Sequence, residues 1–226
     1  MSSPSEPSRP VPARAVPPSA SPSVSLLDRA PVVPVVVVDD AAHAVPLARA
    51  LVAGGLPVIE LTLRTPVALD ALRAIADEVP EILVGAGTVL TPGHAKQAHD
   101  AGARFLVSPG ATPTLLAGMS ETGLPFLPGT ATVSEVLAVL EAGVTEMKFF
   151  PAEASGGAGF LSSLASVVPA ARFCPTGGIT AALAPSYLSL SNVGCVGGSW
   201  LTPRDALSTG DWGRVERLAR EAAALR

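Results

Sequence analysis

Along the chain, short apolar runs alternate with longer amphipathic ones. The first run, Val32–Val38, is β-branched and interrupted only by Pro34, which predicts a buried strand. Asp39–Gly55 then places Val45, Leu47, Ala48 and Leu51 at helical spacing before a Gly54-Gly55 stop, which predicts a helix. The alternation continues as strand Pro57–Leu63, helix Pro66–Val79, strand Ile82–Gly85, helix Pro92–Ala101, strand Arg104–Val107 and helix Thr112–Glu121. Strand Pro125–Leu127, helix Thr132–Ala142, strand Thr145–Phe150, a glycine-rich turn and helix Phe160–Val167 follow. Strand Ala171–Cys174, a short helical piece from Thr180, strand Gly194–Val196 and helix Trp212–Leu225 close the series. Regular β-then-α order demands parallel strands with right-handed crossovers. Eight such units over ~200 residues predict an α/β fold, a (β/α)8 barrel of the TIM type. A doubly wound open sheet is the competing arrangement. Its usual glycine-rich turn after the first strand is replaced here by Val38-Asp39-Asp40.

Composition supports a chain of this class. Hydrophobic residues make up 48 % and charged residues 15 %, against ~25 % charged in an average soluble domain. That balance suits parallel strands covered by helices on both faces. A net charge of −4 argues against nucleic acid as the main partner. No run reaches the ~18–20 apolar residues that a membrane span needs. Cys174 and Cys195 are too few for a disulfide scaffold and read as buried, reduced thiols of a cytoplasmic protein. Residues 1–24 are dominated by Ser and Pro and read as a disordered tail without a secretory core. The globular domain is therefore expected over residues 25–226.

Candidate chemistry comes from polar residues at the carboxyl ends of strands, where barrels build their sites. In the second unit Glu60, Thr62 and Arg64 alternate with Ile59, Leu61 and Leu63, so the polar set is expected to face the barrel interior. Charges pointing inward are costly unless paired or used, and a purely structural Glu60–Arg64 pair is the alternative. The sixth unit holds Lys148, one of two lysines, between Met147 and Phe149-Phe150. An ammonium ion cannot attack a carbonyl, and an apolar site disfavours the charged form of a lysine. Pairing of Lys148 with Glu146 or Glu153 is the structural alternative. Glycine-bearing turns follow several strands, and the pairs Gly177-Gly178 and Gly197-Gly198 come after the seventh and eighth. Those two loops are the usual phosphate site of such barrels, which favours an anionic substrate. His43, His94 and His99 read as surface residues, and no metal site is expected.

Five motifs then carry a resemblance to a known family. They are Glu60-Leu61-Thr62-Leu63-Arg64-Thr65, Gly85-Ala86-Gly87-Thr88-Val89-Leu90, Lys148-Phe149-Phe150-Pro151-Ala152-Glu153, Phe173-Cys174-Pro175-Thr176-Gly177-Gly178-Ile179 and Gly197-Gly198-Ser199-Trp200-Leu201. In this order they resemble the 2-keto-3-deoxy-6-phosphogluconate (KDPG) / 4-hydroxy-2-oxoglutarate (KHG) aldolases. The resemblance implies a homotrimer of barrels that cleaves a keto-deoxy sugar acid to pyruvate and an aldehyde through a lysine Schiff base, without metal or cofactor. It implies Lys148 as the imine-forming residue and Glu60 as general acid and base. Arg64 and Thr88 would hold the pyruvate carboxylate, and Pro109 and Phe150 would line the pocket. Thr176, Gly177, Gly178, Gly198 and Ser199 would hold the distal, phosphorylated end. Competing readings are a 2-keto-3-deoxy-6-phosphogalactonate aldolase, a phosphate-binding barrel isomerase or epimerase that uses Glu60 as its base, and a non-catalytic sugar-acid binder.

Overall fold

The computed structural model describes residues 25–225; the Ser/Pro-rich tail expected over residues 1–24 lies outside the described residues. The strands are β1 (Val32–Val36), β2 (Val58–Thr62), β3 (Leu83–Gly87), β4 (Leu106–Val107), β5 (Phe126–Leu127), β6 (Gly129–Thr130), β7 (Glu146–Phe149), β8 (Arg172–Pro175) and β9 (Val196–Gly198). The helices are α1 (Ala44–Ala53), α2 (Ala68–Glu78), α3 (Pro92–Asp100), α4 (Pro113–Glu121), α5 (Val133–Glu141), α6 (Gly157–Leu164), α7 (Ala184–Leu188), α8 (Arg204–Thr209) and α9 (Trp212–Ala223). All strand pairs are parallel.

One ladder runs β5-β4-β3-β2-β1-β9 and a second runs β6-β7-β8. Two features join them into a barrel. β5 and β6 are halves of one strand separated by Pro128; the first half pairs with β4, and the second with β7. At the other seam, bridges Phe173↔Val193 and Thr176↔Gly197 tie β8 to the last strand. The result is the (β/α)8 barrel that the alternation predicts.

Helix starts follow local chemistry. Thr91 and Thr112 each accept a hydrogen bond from a backbone amide of the first turn, of His94 at 3.1 Å and of Leu115 at 3.2 Å, with proline at the first helical position. Thr132 and Glu135 form a reciprocal capping box on α5. Both faces of β2 and β7 hold buried side chains; Phe149 turns to the helix side, where it stacks on Phe160 of α6 at 5.3 Å.

Several boundaries differ from expectation. The helix expected from Asp39 opens with a short 3-10 turn, Ala41–His43, which Asp40 caps by accepting the Ala42 amide at 2.9 Å. α6 begins within the segment read as a glycine-rich turn, once Gly156 and Gly157 have reversed the chain at φ +104° and +62°. The last strand lies further along than Gly194–Val196, because Gly197 and Gly198 serve close packing. A Cβ on Gly197 would sit 2.1 Å from Thr176 Oγ1, and one on Gly198 would sit 2.0 Å from the Trp200 ring. Likewise Gly129-Thr130, beyond the strand expected to end at Leu127, is β6. The short α8 had no counterpart in the sequence pattern.

Candidate active site

β2 and β7 stand on opposite sides of the barrel, and their side chains meet in its interior. Lys148 Nζ donates to Glu60 Oε1 at 3.1 Å. The two residues are only 5 % and 3 % exposed. Two charges removed from water are tolerated when they satisfy one another, and removing either partner strands the other. Register delivers them: Glu60 lies level with Gly85 on β3, and Lys148 with Gly129 on β6 and Cys174 on β8. Gly87 makes the space, since a Cβ there would lie 2.2 Å from Glu60 Oε1. The Phe150 ring centre lies 5.3 Å from Lys148 Nζ, within cation–π range.

The alternative partners of Lys148 are engaged elsewhere. Glu146 accepts from the Ser25 hydroxyl and from Arg172, and Glu153 accepts from the Tyr187 hydroxyl. Glu60 does not pair with Arg64 either. β2 ends at Thr62, whose hydroxyl donates to Val36 O at 3.0 Å. Arg64 therefore lies past the strand at the exposed mouth, not inside the barrel as the alternation suggests. There its Nε donates to Thr88 Oγ1 at 3.2 Å. Thr88 is held at φ +60°, an uncommon conformation for a β-branched residue.

At the barrel mouth opens a cleft of about 450 Å³, whose lining includes Phe150, two residues after Lys148, but neither Lys148 nor Glu60. Arg64, Phe150, Thr176, Gly177, Gly178 and Ser199 line it, as do Val35 and Val37 from the end of β1. Gly177 and Gly178 turn the chain at φ +103° and +80°, where a side chain would be strained. Among the described residues the amides of Gly178 and Ser199 donate to no other backbone group, so both remain available to an anion. Five of the expected site residues lie off this lining: Lys148 and Glu60, which meet in the interior, and three more. Thr88 acts on Arg64, Pro109 packs on Gly129, and Gly198 lies under Trp200. The sequence pattern missed Thr202, Pro203, Arg204 and Leu207, which complete the wall after β9.

The histidines hold no such position. His94 and His99 sit on α3, where His99 contacts Asp100 at 3.3 Å, and His43 is half-buried with its ring edge on Trp212. Among the described residues no three His, Cys, Asp or Glu side chains cluster as a metal site would require, and no helix is long and apolar enough to cross a membrane.

Fold and site together define a class: a parallel barrel whose interior buries an amine against a carboxylate, with a glycine-rimmed cleft at its mouth. The family follows from comparison. The model for "KDPG and KHG aldolase" matches residues 24–218, and the chain belongs to that family. The KHG/KDPG aldolase of Escherichia coli (strain K12) is 54 % identical over 198 residues, covering 88 % of this chain and 93 % of the relative. The 2-dehydro-3-deoxy-phosphogluconate aldolase of Dickeya dadantii is 52 % identical over 199 residues, covering 88 % and 93 %. Among solved structures, the KDPG aldolase of Legionella pneumophila, with pyruvate captured as a covalent carbinolamine, superposes with a TM-score of 0.86. It is 44 % identical, and the match covers 88 % of this chain and 96 % of that one.

Proposed function

We propose that this protein is a class I aldolase that reversibly cleaves 2-keto-3-deoxy-6-phosphogluconate to pyruvate and glyceraldehyde 3-phosphate. On the same reading it also cleaves 4-hydroxy-2-oxoglutarate to pyruvate and glyoxylate. The observation that carries the proposal is the buried Lys148–Glu60 contact of 3.1 Å in the barrel interior. The carbinolamine in the Legionella relative supports the chemistry, since it is the adduct an amine forms on adding to a ketone.

Glu60 takes a proton from the Lys148 ammonium across their hydrogen bond, and the freed amine attacks the C2 ketone. Glu60 returns that proton to the carbinolamine hydroxyl, which leaves as water. This gives a protonated imine and restores the carboxylate, and the imine accepts the electron pair of the C3–C4 bond as it breaks. Glu60 removes the C4 hydroxyl proton as the aldehyde departs, then returns a proton to C3 of the enamine. Hydrolysis releases pyruvate and restores the amine. The imine is the electron sink, so these steps call for no metal or cofactor. Arg64, steadied by Thr88, grips the carboxylate and fixes the ketone against Lys148. Phe150 and Pro109 bound the keto-acid end. Thr176, Gly177, Gly178 and Ser199 form the distal end, with buried Gly198 behind them, and the free Gly178 and Ser199 amides suit a phosphate.

The proposal extends to assembly and compartment. A homotrimer would cover apolar side chains that the single chain leaves exposed, such as Leu137 at 46 % and Leu90 at 54 %. Burial of both cysteines is compatible with a cytoplasmic enzyme. Residues 1–24 are assigned to a tail outside the barrel domain on composition alone.

Borohydride reduction in the presence of pyruvate tests the central step. The expected result is a stable pyruvyl adduct on Lys148, located by peptide mass mapping, with neither adduct nor pyruvate release in Lys148→Ala. Pyruvate release by a protein whose Lys148 stays unlabelled would overturn the reading.

A further inference from the structure

The substrate class proposed above carries an anion at each end, and the cleft holds two cations. Its lining includes Arg64 and Arg204 and no carboxylate. The arginines are separated by the end of β1, represented in the lining by Val35 and Val37. Arg64 lies on the β2–β3 side and is tied to Thr88 at 3.2 Å. Arg204 lies beyond β9, on the same chain segment as Gly197 and Ser199. Among the described residues its guanidinium makes no hydrogen bond or ion pair, and its carboxylate neighbour Asp205 is taken by Arg214.

Arg204 also lines a second cleft of about 460 Å³, which shares Val37 and Leu207 with the first. That cleft is acidic, with Asp39 and Asp40 on its wall. An exposed arginine on this divide has an anionic wall on one side and a glycine-rimmed, anion-ready cleft on the other. A phosphate that enters the glycine turns presents a stronger charge than single carboxylates in open water, and a planar guanidinium can grip it with two hydrogen bonds.

We propose that Arg204 is a specificity-determining residue, whose guanidinium closes over the distal phosphate and makes the enzyme prefer phosphorylated keto-deoxy acids. Arg64 recognises the carboxylate at the other end. The inference rests on the aldolase reading, and it assigns the phosphate preference to one exposed side chain as well as to the backbone of the turns.

The test compares kcat/KM for 2-keto-3-deoxy-6-phosphogluconate with kcat/KM for its dephosphorylated counterpart, in wild type, Arg204→Ala and Arg204→Lys. The ratio is expected to fall about 10- to 100-fold in Arg204→Ala, the scale of one charge-assisted contact. Arg204→Lys should restore part of it, because charge is kept while the planar fork is lost. A ratio unchanged within about twofold, or an equal loss on both substrates, would overturn the assignment. Borohydride labelling of wild-type Lys148 with pyruvate separates the two failures: labelled protein with an unchanged ratio sinks only Arg204, whereas cleavage by unlabelled protein sinks the aldolase reading.

Discussion

The floor and the rim of the barrel mouth are built from different materials. On the floor, two side chains from opposite strands, Glu60 and Lys148, meet out of water, each held by strand register. On the rim, the turns after β8 and β9 offer backbone amides and exposed polar groups, Gly178 and Ser199 among them. Electrostatics explains the division. Away from water a single charge pair is felt strongly and proton transfer over one hydrogen bond is direct; at the rim, water screens each contact, so recognition requires several. A single change on the floor should therefore abolish or cripple turnover, whereas a single change on the rim should shift preference.

Glu60→Gln attacks that contrast hardest. Glutamine fills the same volume and can still hydrogen-bond Lys148, but it cannot take a proton. Turnover is expected to fall about 10²- to 10⁴-fold, the usual contribution of a positioned acid–base group. Exchange of the pyruvate methyl protons with deuterated water isolates the step. Exchange should nearly vanish in Glu60→Gln, while slow borohydride trapping on Lys148 persists. Retention of wild-type exchange would move the base elsewhere.

A second change disturbs the floor without touching either reacting group. A Cβ on Gly87 would approach Glu60 Oε1 to 2.2 Å and Cγ to 2.6 Å, so Gly87→Ala must push the carboxylate away from Lys148. Misplacement on the scale of 1 Å costs about 10²-fold, and a loss of that order in kcat is expected. Gly159→Ala is the control, because a Cβ there meets nothing within 4 Å. Equal kinetics for the two variants would show that the carboxylate position does not matter.

Much of the floor is legible in the sequence. Period-two alternation in β2 and β7 puts Glu60 on the side opposite Ile59 and Leu61, and Lys148 on the side opposite Met147 and Phe149, and their 3.1 Å contact across the barrel agrees. Alternation could not say where β2 stops. It points Arg64 into the interior, whereas the strand ends at Thr62. Glycine was the other source of error. It serves both turns and close packing, and sequence alone does not separate Gly177, which turns the chain, from Gly197, which lets Thr176 approach. The rim was least visible. α8 is too short for a periodic signal, and its wall residue Arg204 reads as an ordinary surface charge.

The smallest expected effect probes the link between floor and rim. Glu153 follows the Lys148 strand. Its amide donates to Gly177 O at 3.1 Å, and its carboxylate accepts from the hydroxyl of buried Tyr187. Burial, and then the hydrogen bond to Glu153, raise the Tyr187 pKa above its ordinary value. The fold therefore favours the neutral phenol. That stabilisation is complete below the unfolded value of about 10, and it is lost as pH rises beyond it. Tyr187 is the sole tyrosine, so tyrosinate absorbance follows its ionisation directly. Native protein should ionise only at higher pH than urea-unfolded chain. Tyr187→Phe should lose about 1 kcal/mol at neutral pH, and it should lack the steepened decline in stability above about pH 10. Because the hydroxyl lies outside the barrel interior, kcat should barely move, with a small rise in KM for the phosphorylated substrate as the Gly177 turn loosens. A large fall in kcat instead would mean that floor and rim are a single unit, and the division argued above would fail.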